Sequence, residues 1–295
     1  STRKESSAAS DVYKRQPFGT VALAHNGNLT NFAELEALAD DRRHMHQETV
    51  REATQKEKRT RQFRDSSNDT SLVTELLATT EGDNLTEATL ELFPKLTGAF
   101  SLVFMEENRL YAARDPWGVR PLSLGRLEHG WVVASETAAL DIVGASFVRD
   151  VEPGELIVID EEGLRSHRFA EPTPARCVFE YVYLSRPDSV LEGKTVHAAR
   201  TEMGRELARE YPVDADLVIA TPESGTPAAV GYAEESGIPY GQGLMKNAYV
   251  GRTFIQPTQT IRQLGIRLKL NPLRENIEGK RLVVCLLYTS PSPRD

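Results

Sequence analysis

The sequence predicts two consecutive domains, an α+β domain followed by an α/β domain. Its length of 295 residues suits two domains of roughly 100–200 residues each. In the first half, helices precede a run of short alternating strands, which is typical of a layered α+β fold. After the proline-rich residues 171–175, strands alternate with helices, which predicts a parallel α/β sheet. We therefore expect the two domains at residues 17–172 and 173–285.

The composition excludes several classes of protein. The chain is 40% hydrophobic and 26% charged, as in ordinary globular proteins, so it is not disordered throughout. Its net charge of −8 argues against non-specific nucleic-acid binding. The sequence contains no run of 18 apolar residues, so it predicts no membrane-spanning helix. Two cysteines cannot form a disulfide framework, which favours a reducing compartment, and we expect the cytoplasm.

Both ends of the chain differ from its middle. Residues 1–16 show no apolar periodicity, and residues 286–295 follow a strong strand pattern with serine and proline. Both stretches resemble translated adapter sequence, so we expect two non-native tails. Ordinary disordered tails are the alternative. If the tails are non-native, the natural protein extends beyond both ends.

The first elements are a strand, a turn and a helix. Residues 19–25 are apolar on both faces, which predicts a buried strand. Residues 26–28 (Asn-Gly-Asn) predict a turn. A helix is expected over 32–39, with Thr30 or Asn31 as its N-cap.

Residues 40–65 follow, with eight basic and six acidic residues. They indicate a solvated helix or loop insertion, because only Phe63 offers the aromatic contact that a nucleic-acid patch would need.

The rest of the first domain is helical and then strand-rich. Helices are predicted over 67–79 and 85–96 from their apolar spacing. A short helix is expected to run from a cap at 135–137 to residue 142. Turn signals separate short alternating runs, which predict an antiparallel meander followed by two more strands. These predicted strands cover residues 100–105, 109–113, 121–125, 131–134, 147–151 and 155–160.

The second domain follows the strand–loop–helix pattern. Strands are predicted over 178–184, 216–221, 238–240 and 281–284. A helix over 196–211 would place Ala199, Met203 and Leu207 on one face, and a second helix would begin at Pro227. Because ligands bind at the carboxyl ends of parallel strands, the loop at 222–226 is expected at a functional edge.

Residues 25–28 (His-Asn-Gly-Asn) form the first candidate site. The Asn26 amide and the Gly27 backbone N–H could both donate to one developing oxyanion. An Asn-Gly hairpin turn is the competing interpretation, and spacing alone favours it.

Two further candidates lie at predicted helix starts. Asp69 could bind an ammonium group, although a first-turn carboxylate facing the helix dipole is the simpler interpretation. Residues 222–226 (Pro-Glu-Ser-Gly-Thr) carry small hydroxyl and glycine residues at a helix N-terminus, where an anion can bind. Residues 222–226 are not a Walker loop, because its lysine is absent. Alone, this segment is a weak signal for anion binding.

A cationic segment follows in this otherwise acidic chain. Residues 246–253 (Lys-Asn-Ala-Tyr-Val-Gly-Arg-Thr) precede Arg262, Arg267, Lys269 and Arg274. Local positive charge of this kind favours a small phosphate-rich ligand on a mobile segment. A solvated loop is an equally good interpretation from the sequence.

Taken in order, these pieces resemble the glutamine phosphoribosylpyrophosphate amidotransferase family, from about residue 16 to residue 284. The first-half strings occur in weaker form in other class II amidotransferases, whereas the KNAYVGRTFI string is specific to this family. The matching strings are VALAHNGNLTN, NDTSLVTELL, LTGAFSLVFM, AARDPWGVRPL, VVASETAALD, VFEYVYLSRPDS, ARTEMGRELA, GIPYGQGLMKNAYVGRTFIQP and IRLKLNPLRENIEGKRLVV.

The resemblance implies an N-terminal-nucleophile glutaminase domain and a phosphoribosyltransferase-like domain, both incomplete here. Members release ammonia from glutamine and add it to phosphoribosylpyrophosphate, which gives 5-phosphoribosylamine, the first step of de novo purine synthesis. They are magnesium-dependent cytoplasmic transferases. Purine nucleotide inhibition and a homotetramer are further expectations for the full-length parent, with no nucleic-acid or membrane partner.

The resemblance also implies roles for individual residues. Asn26 and Gly27 would form the oxyanion hole, and Asp69 would bind the α-ammonium group of glutamine. Ser224 would lie in the pyrophosphate loop near Mg²⁺. A flexible loop over phosphoribosylpyrophosphate would carry or adjoin the remaining site residues, which are Lys246, Tyr249, Arg252 and Lys269.

The chain departs from the family pattern at two places and matches a variable position at a third. The family nucleophile is an N-terminal cysteine, activated by its own α-amino group, and no cysteine precedes His25 here. We therefore expect this polypeptide to be inactive as a glutaminase. The family follows its GKRLVV strand with an acidic pair and a phosphate loop, where residues 285–295 stand here. Cys177 matches a position that in some members is a ligand of a [4Fe–4S] cluster.

Two other interpretations stay open from the sequence. Another class II amidotransferase, such as an asparagine synthetase or a sugar-phosphate amidotransferase, would lack the phosphoribosyltransferase-like half. A non-catalytic nucleotide-sensing protein could use the same folds, and the missing nucleophile allows it.

Overall fold

The computed structural model describes residues 14–16, 19–53, 68–80, 82–249 and 259–286. The chain forms two compact units that divide between Cys177 and Val178. This division lies five residues after the boundary expected at 172/173. The two units are taken separately below.

The first unit contains antiparallel strands and four helices in the part of it that is described. Its elements in chain order are β1 (Lys14–Gln16), β2 (Gly19–Leu29), α1 (Phe32–Ala53), α2 (Asp69–Thr79), α3 (Leu85–Leu92), β3 (Gly98–Glu106), β4 (Arg109–Arg114), β5 (Ser123–Leu127), β6 (Gly130–Ala134), α4 (Thr137–Ile142), β7 (Ser146–Asp150), β8 (Glu155–Asp160) and β9 (Gly163–Arg168). A short 3₁₀ turn at Phe93–Lys95 follows α3, so the α-helix expected to reach residue 96 ends earlier.

The strands form two sheets, and the single meander expected from the sequence is wrong. One sheet has the order β1-β2-β3-β4-β8-β9 and the other the order β6-β5-β7. After β4 the chain leaves the first sheet through the turn at Asp115–Gly118, so β4 pairs with β8 instead of β5. The sequence also missed β9, because its polar residues do not alternate with apolar ones.

The main core lies between the larger sheet and the helices that pack on it. The helix predicted over 67–79 is confirmed as α2, and its Leu72, Val73, Leu76 and Leu77 are completely buried. Aromatic rings fill the centre, with the Phe104 and Tyr111 rings stacked at 4.7 Å between centroids. Burying such side chains contributes roughly 1.5–3 kcal/mol each.

Strand β2 corrects two expectations. It is buried on one face rather than both, since Val21, Leu23 and Leu29 are buried while Ala24 is exposed. It also continues through Asn26–Asn28, so the predicted turn, and with it the hairpin interpretation, is wrong. Pairing with β3 over eight residues outweighs the local Asn-Gly signal.

The regions flanking β2 also differ from expectation. Lys14–Gln16, placed in a tail by the sequence, pair as β1 with Gly19–Val21. Helix α1 extends to Ala53, well into the charged insertion. Asn31 directly precedes α1, as predicted for the cap, and its carbonyl accepts from the Leu35 N–H. Its side chain, however, donates to the Lys95 carbonyl and accepts from the Thr97 N–H. Residues 54–67 and most of both predicted tails lie outside the described residues.

The second unit contains a short parallel pair with helices packed beside it. Its described elements are β10 (Val190–Leu191), β11 (Lys194–Thr195), α5 (Val196–Glu210), β12 (Leu217–Ala220), α6 (Thr226–Ser236), β13 (Leu244–Lys246), α7 (Gln259–Lys269), β14 (Leu270–Pro272), α8 (Arg274–Ile277) and β15 (Leu282–Cys285). Strands β12 and β15 pair in parallel, which confirms the parallel pattern.

Three expectations for this unit are corrected. The strand predicted over 178–184 is a helical turn, because its aromatic and β-branched run has no strand partner in the described chain. Residues 238–240 contribute only one bridge, from Tyr240 to Val218. Helix α5 buries the face of Arg200, Thr201 and Gly204 rather than that of Met203 and Leu207.

The inward face of α5 is set by close backbone packing. A Cβ on Gly204 would lie 2.0 Å from the Ala228 carbonyl oxygen, and one on Gly231 would lie 1.9 Å from the Thr201 carbonyl oxygen. The two helices therefore approach through glycine, which apolar spacing does not reveal. Among the described helices, none is both long enough and apolar enough to cross a membrane.

Candidate functional site

Gly27 lies at a close approach between β2 and β3. Its φ of +149° is unfavourable for residues with a side chain. A Cβ there would lie 2.0 Å from the Ala99 carbonyl oxygen. The glycine that the sequence offered as a turn signal is thus needed for the close approach of two strands.

The backbone N–H of Gly27 is directed away from β3. Gly27 is paired with Phe100, whose N–H donates to the Asp115 carboxylate at 3.1 Å and whose carbonyl accepts from the Asp115 N–H at 2.9 Å. The N–H and carbonyl groups of Phe100 therefore both face β4. Gly27 and Phe100 thus form a non-hydrogen-bonded antiparallel pair. On the opposite edge of β2, the described β1 pairs only with Gly19–Val21. A donor at Gly27 is thus directed toward an edge that no described strand covers.

The side chain of Asn26 is held by Arg120. Asn26 Oδ1 accepts from Arg120 Nε at 3.2 Å and from Nη2 at 3.0 Å. Because a guanidinium group has donors only, the oxygen of the amide must face it. The Nδ2 group of Asn26 consequently faces the other way. Arg120 was missed as a site residue, and its only sequence signal was its place in the AARDPWGVRPL string.

The segment that presents Arg120 is itself well fixed. Asp115 is fully buried and accepts from the backbone N–H groups of Trp117 and Phe100. Burial raises the pKa of Asp115, while these N–H groups favour its charged form. Arg114 donates to the carbonyls of Gly118 and Arg120 at 2.8 Å each.

Asp69 is brought to the same strand. Its Oδ2 accepts from the Leu29 N–H at 2.8 Å, so α2 is tied to the end of β2. Asn68 caps α2 by accepting from the Ser71 N–H at 2.9 Å, so Asp69 does not serve as the cap. The structure thus places Asp69 three residues along the strand from Asn26, by a tie that spans 40 residues of chain.

His25 is a half-buried neighbour of this carboxylate. Its Nε2 atom is buried and has no hydrogen-bond partner among the residues that the structure describes. Burial lowers the pKa of His25, and the negative charge of Asp69 opposes that shift. Burial therefore favours the neutral form of the imidazole.

In the second unit, residues 221–225 follow β12 at the carboxyl ends of the parallel strands. The Thr221 N–H donates to the Cys285 carbonyl at 3.0 Å. A Cβ on Gly225 would lie 2.4 Å from that same carbonyl oxygen. Ser224 is exposed in the turn that leads into α6. The loop therefore has the predicted position, at the N-terminus of an 11-residue helix.

The cationic residues lie at the base of a segment between β13 and β14. Lys246 ends β13, and its Nζ lies 3.2 Å from Glu223 Oε2 in the loop after β12. The Asn247 N–H donates to the Lys269 carbonyl at 2.8 Å, which brings the backbones at Lys246 and Lys269 together. Tyr249 is fully exposed. Arg252 lies outside the described residues.

Cys177 does not carry an iron–sulfur site by itself. It is a half-buried free thiol, and the second cysteine, Cys285, is buried beside β12. Within the described ranges, no group of three or more His, Cys, Asp or Glu side chains could hold a metal ion. A cluster needs about four such ligands, so the described residues do not fit one.

The fold is that of a class II glutamine amidotransferase domain of the N-terminal-nucleophile type, followed by a phosphoribosyltransferase-like unit. A family model described as "Glutamine amidotransferase domain" matches residues 46–142. The more particular likeness is to amidophosphoribosyltransferases. Those of Mycobacterium tuberculosis and Bacillus subtilis are 64% and 42% identical to this chain over 94% and 92% of it.

Solved structures agree with this likeness. The B. subtilis glutamine phosphoribosylpyrophosphate amidotransferase, in complex with ADP and GMP, matches with a TM-score of 0.79 and 41% identity over 94% of this chain. The chain covers 57% of that structure and spans about half the length of the curated relatives, 50% for the M. tuberculosis protein. The resemblance predicted from the motifs is therefore confirmed over that share, and so is the fold class.

Proposed function

We propose that this chain supplies the glutaminase unit and part of the phosphoribosyltransferase unit of an amidophosphoribosyltransferase. That enzyme hydrolyses glutamine and adds the ammonia to phosphoribosylpyrophosphate, giving 5-phosphoribosylamine, pyrophosphate and glutamate, the first step of purine synthesis. The observation that carries the proposal is the 64% identity to the M. tuberculosis relative over 94% of the chain.

The geometry of the first unit supports the glutaminase half. A cysteine nucleophile attacks the glutamine amide carbonyl, and its oxygen becomes an oxyanion. Asn26 Nδ2 and the Gly27 N–H are the proposed donors to that oxygen, and such donors act because they are oriented before the charge develops. Asp69, tied to the same strand, offers a carboxylate for the α-ammonium group of the substrate.

The second unit supports a phosphate-binding role. The loop at 221–225 ends at a helix N-terminus, where N–H groups and the helix dipole favour anions. Lys246 adjoins this loop, and Lys269 lies at the base of the same segment. We propose that these lysines, with Tyr249 and Arg252, contact phosphoribosylpyrophosphate.

We propose Mg²⁺ as the metal of this second site. It would neutralise phosphate charge on the substrate, and it typically keeps waters and phosphate oxygens with one or two protein ligands. The exposed hydroxyl of Ser224 and the carboxylate of Glu223 are oxygen donors of the kind it prefers. We propose no iron–sulfur cluster on the described residues.

Purine nucleotide inhibition, a homotetramer and a cytoplasmic location are also proposed for the whole enzyme. The B. subtilis relative was solved with ADP and GMP, which supports nucleotide binding there. The oligomer and the location rest on the family resemblance alone.

A chimera tests the proposed function. Residues 19–284 of this chain replace the matching residues of the M. tuberculosis relative, whose remaining parts supply the N-terminal cysteine implied by the resemblance. We expect pyrophosphate release from phosphoribosylpyrophosphate with glutamine and with ammonia. No turnover with either nitrogen donor, together with retained nucleotide binding, would favour the non-catalytic alternative.

A further inference from the structure

We propose that Arg120 is a positioning residue for the glutaminase reaction, one that fixes the amide of Asn26 in its donating orientation. This inference rests on the proposed function. It assigns to Arg120 no contact with glutamine and no proton transfer. Its action passes entirely through the side chain of Asn26.

The two possible orientations of the Asn26 amide are the first part of the argument. An asparagine amide can rotate by half a turn and then present its oxygen where its NH₂ group was. An oxygen directed at an oxyanion would repel it. Two Arg120 donors on Oδ1, at 3.2 and 3.0 Å, exclude that second orientation, because no atom of a guanidinium group can accept from the NH₂.

The positive charge of Arg120 is the second part of the argument. A hydrogen bond from a cation is roughly twice as strong as one between neutral groups. A cation on the carbonyl end also polarises the amide, which makes Nδ2 a better donor at its other end. The same contact therefore orients the Asn26 donor and strengthens it.

The fixed position of the Arg120 backbone is the third part of the argument. Its carbonyl accepts from Ser101 Oγ at 3.2 Å and from Arg114 Nε at 2.8 Å. Ser101 is the residue paired with Asn26 across β2 and β3. The backbone of Arg120 and the Asn26 side chain that it binds are thus both fixed at the Asn26–Ser101 pair of the sheet. In sequence, Arg120 and Asn26 are 94 residues apart.

A double-mutant cycle in the chimera tests the inference. We expect Arg120→Ala to lower kcat with glutamine by roughly 10- to 100-fold, the size of a small misplacement of a catalytic group. The KM for glutamine and the ammonia-dependent rate should not change. Arg120→Lys should restore part of the loss, since it keeps the cation and one donor. In an Asn26→Ala background, Arg120→Ala should add no further loss.

Arg126→Ala is the matched control, because Arg126 is an exposed arginine that stacks on Trp131 in the same unit. An unchanged kcat in Arg120→Ala would overturn the inference. So would losses that multiply in the double variant, or a raised KM alone, which would indicate direct contact with glutamine. If Arg120→Ala also loses the ammonia reaction, misfolding is shown, and Arg120→Lys then decides by the same criteria. A chimera without any glutamine-dependent activity would overturn the proposed function and this inference with it.

Discussion

The two candidate sites hold their polar groups in opposite ways. In the first unit, Asn26 is held by two donors of Arg120, whose own backbone is held by Ser101 and Arg114. In the second unit, Lys246 contacts the loop after β12 through an ion pair with Glu223, whose side chain is 80% exposed. Exposed pairs of this kind contribute about 0–1 kcal/mol.

This difference indicates when each site becomes ordered. Donors to an oxyanion must be oriented before the reaction, because reorienting them during it would cost part of the barrier lowering. Cations that grip a polyanion can be ordered by the ligand itself, at the moment of binding. We therefore expect substitutions in the first site to act on kcat and those in the second to act on use of the phosphorylated substrate.

The largest expected effect is the absence of glutaminase activity in the 295-residue polypeptide itself. Oxyanion donors stabilise nothing without an attacking group. Burial raises the pKa of the Cys285 thiol to about 11, so it is not a nucleophile at neutral pH. The measurement is glutamate release by the purified chain, with Cys177→Ser and Cys285→Ser as controls. Release that exceeds background and survives both substitutions would contradict the assigned role of a missing cysteine.

The next effect concerns Asn26→Ala in the chimera. We expect glutamine-dependent turnover to fall by roughly 10²–10³-fold, the usual result of removing one oxyanion donor. The ammonia-dependent reaction should persist because it does not use the glutaminase site. Asn108→Ala, in the exposed turn between β3 and β4, is the control and should leave both reactions intact. Equal loss of both reactions in Asn26→Ala would show that Asn26 is structural.

Local sequence patterns predicted the helices of the first unit better than the course of β2. The spacing of Leu72, Val73, Leu76 and Leu77 records one buried face, and α2 has that face. The Asn26–Asn28 string records only a local preference for turning. Its actual structure depends on β3, about 75 residues away, and no local pattern contains that partner.

The candidate site shows the same limit at the level of single side chains. The residue types at Asn26, Gly27 and Asp69 identified candidates, but only the fold shows that Asp69 bonds to Leu29 on the same strand. Arg120 has no periodic or local signal, because its partner lies 94 residues earlier. In the second unit, the face of α5 was assigned to Met203 and Leu207, since apolar spacing cannot anticipate packing through Gly204.

An intermediate effect is expected for the cations of the second site. Arg252→Ala and Lys269→Ala in the chimera should each weaken use of phosphoribosylpyrophosphate by roughly one to two decades, the equivalent of a charge-assisted hydrogen bond of about 1.5–3 kcal/mol. The loss should be the same with glutamine and with ammonia, while basal glutaminase activity stays nearly intact. Activation of glutaminase by phosphoribosylpyrophosphate should fade. Lys194→Ala, an exposed lysine on β11, is the control. Unchanged steady-state constants for phosphoribosylpyrophosphate would show that both side chains are merely solvated.

The smallest effect is on stability and concerns His25. Burial lowers its pKa below the ordinary 6.5, with the Asp69 charge opposing, so the unfolded chain binds this proton more readily than the folded one. The resulting stability is fully present above about pH 6.5 and is lost as the pH falls through the folded-state pKa. Each unit of lowering corresponds to about 1.4 kcal/mol. In urea unfolding of the 295-residue chain, His25→Gln should flatten this part of the pH profile, whereas His129→Gln, at an exposed site, should not. Identical profiles for His25→Gln and the unaltered chain would show that the half-buried imidazole does not govern acid stability.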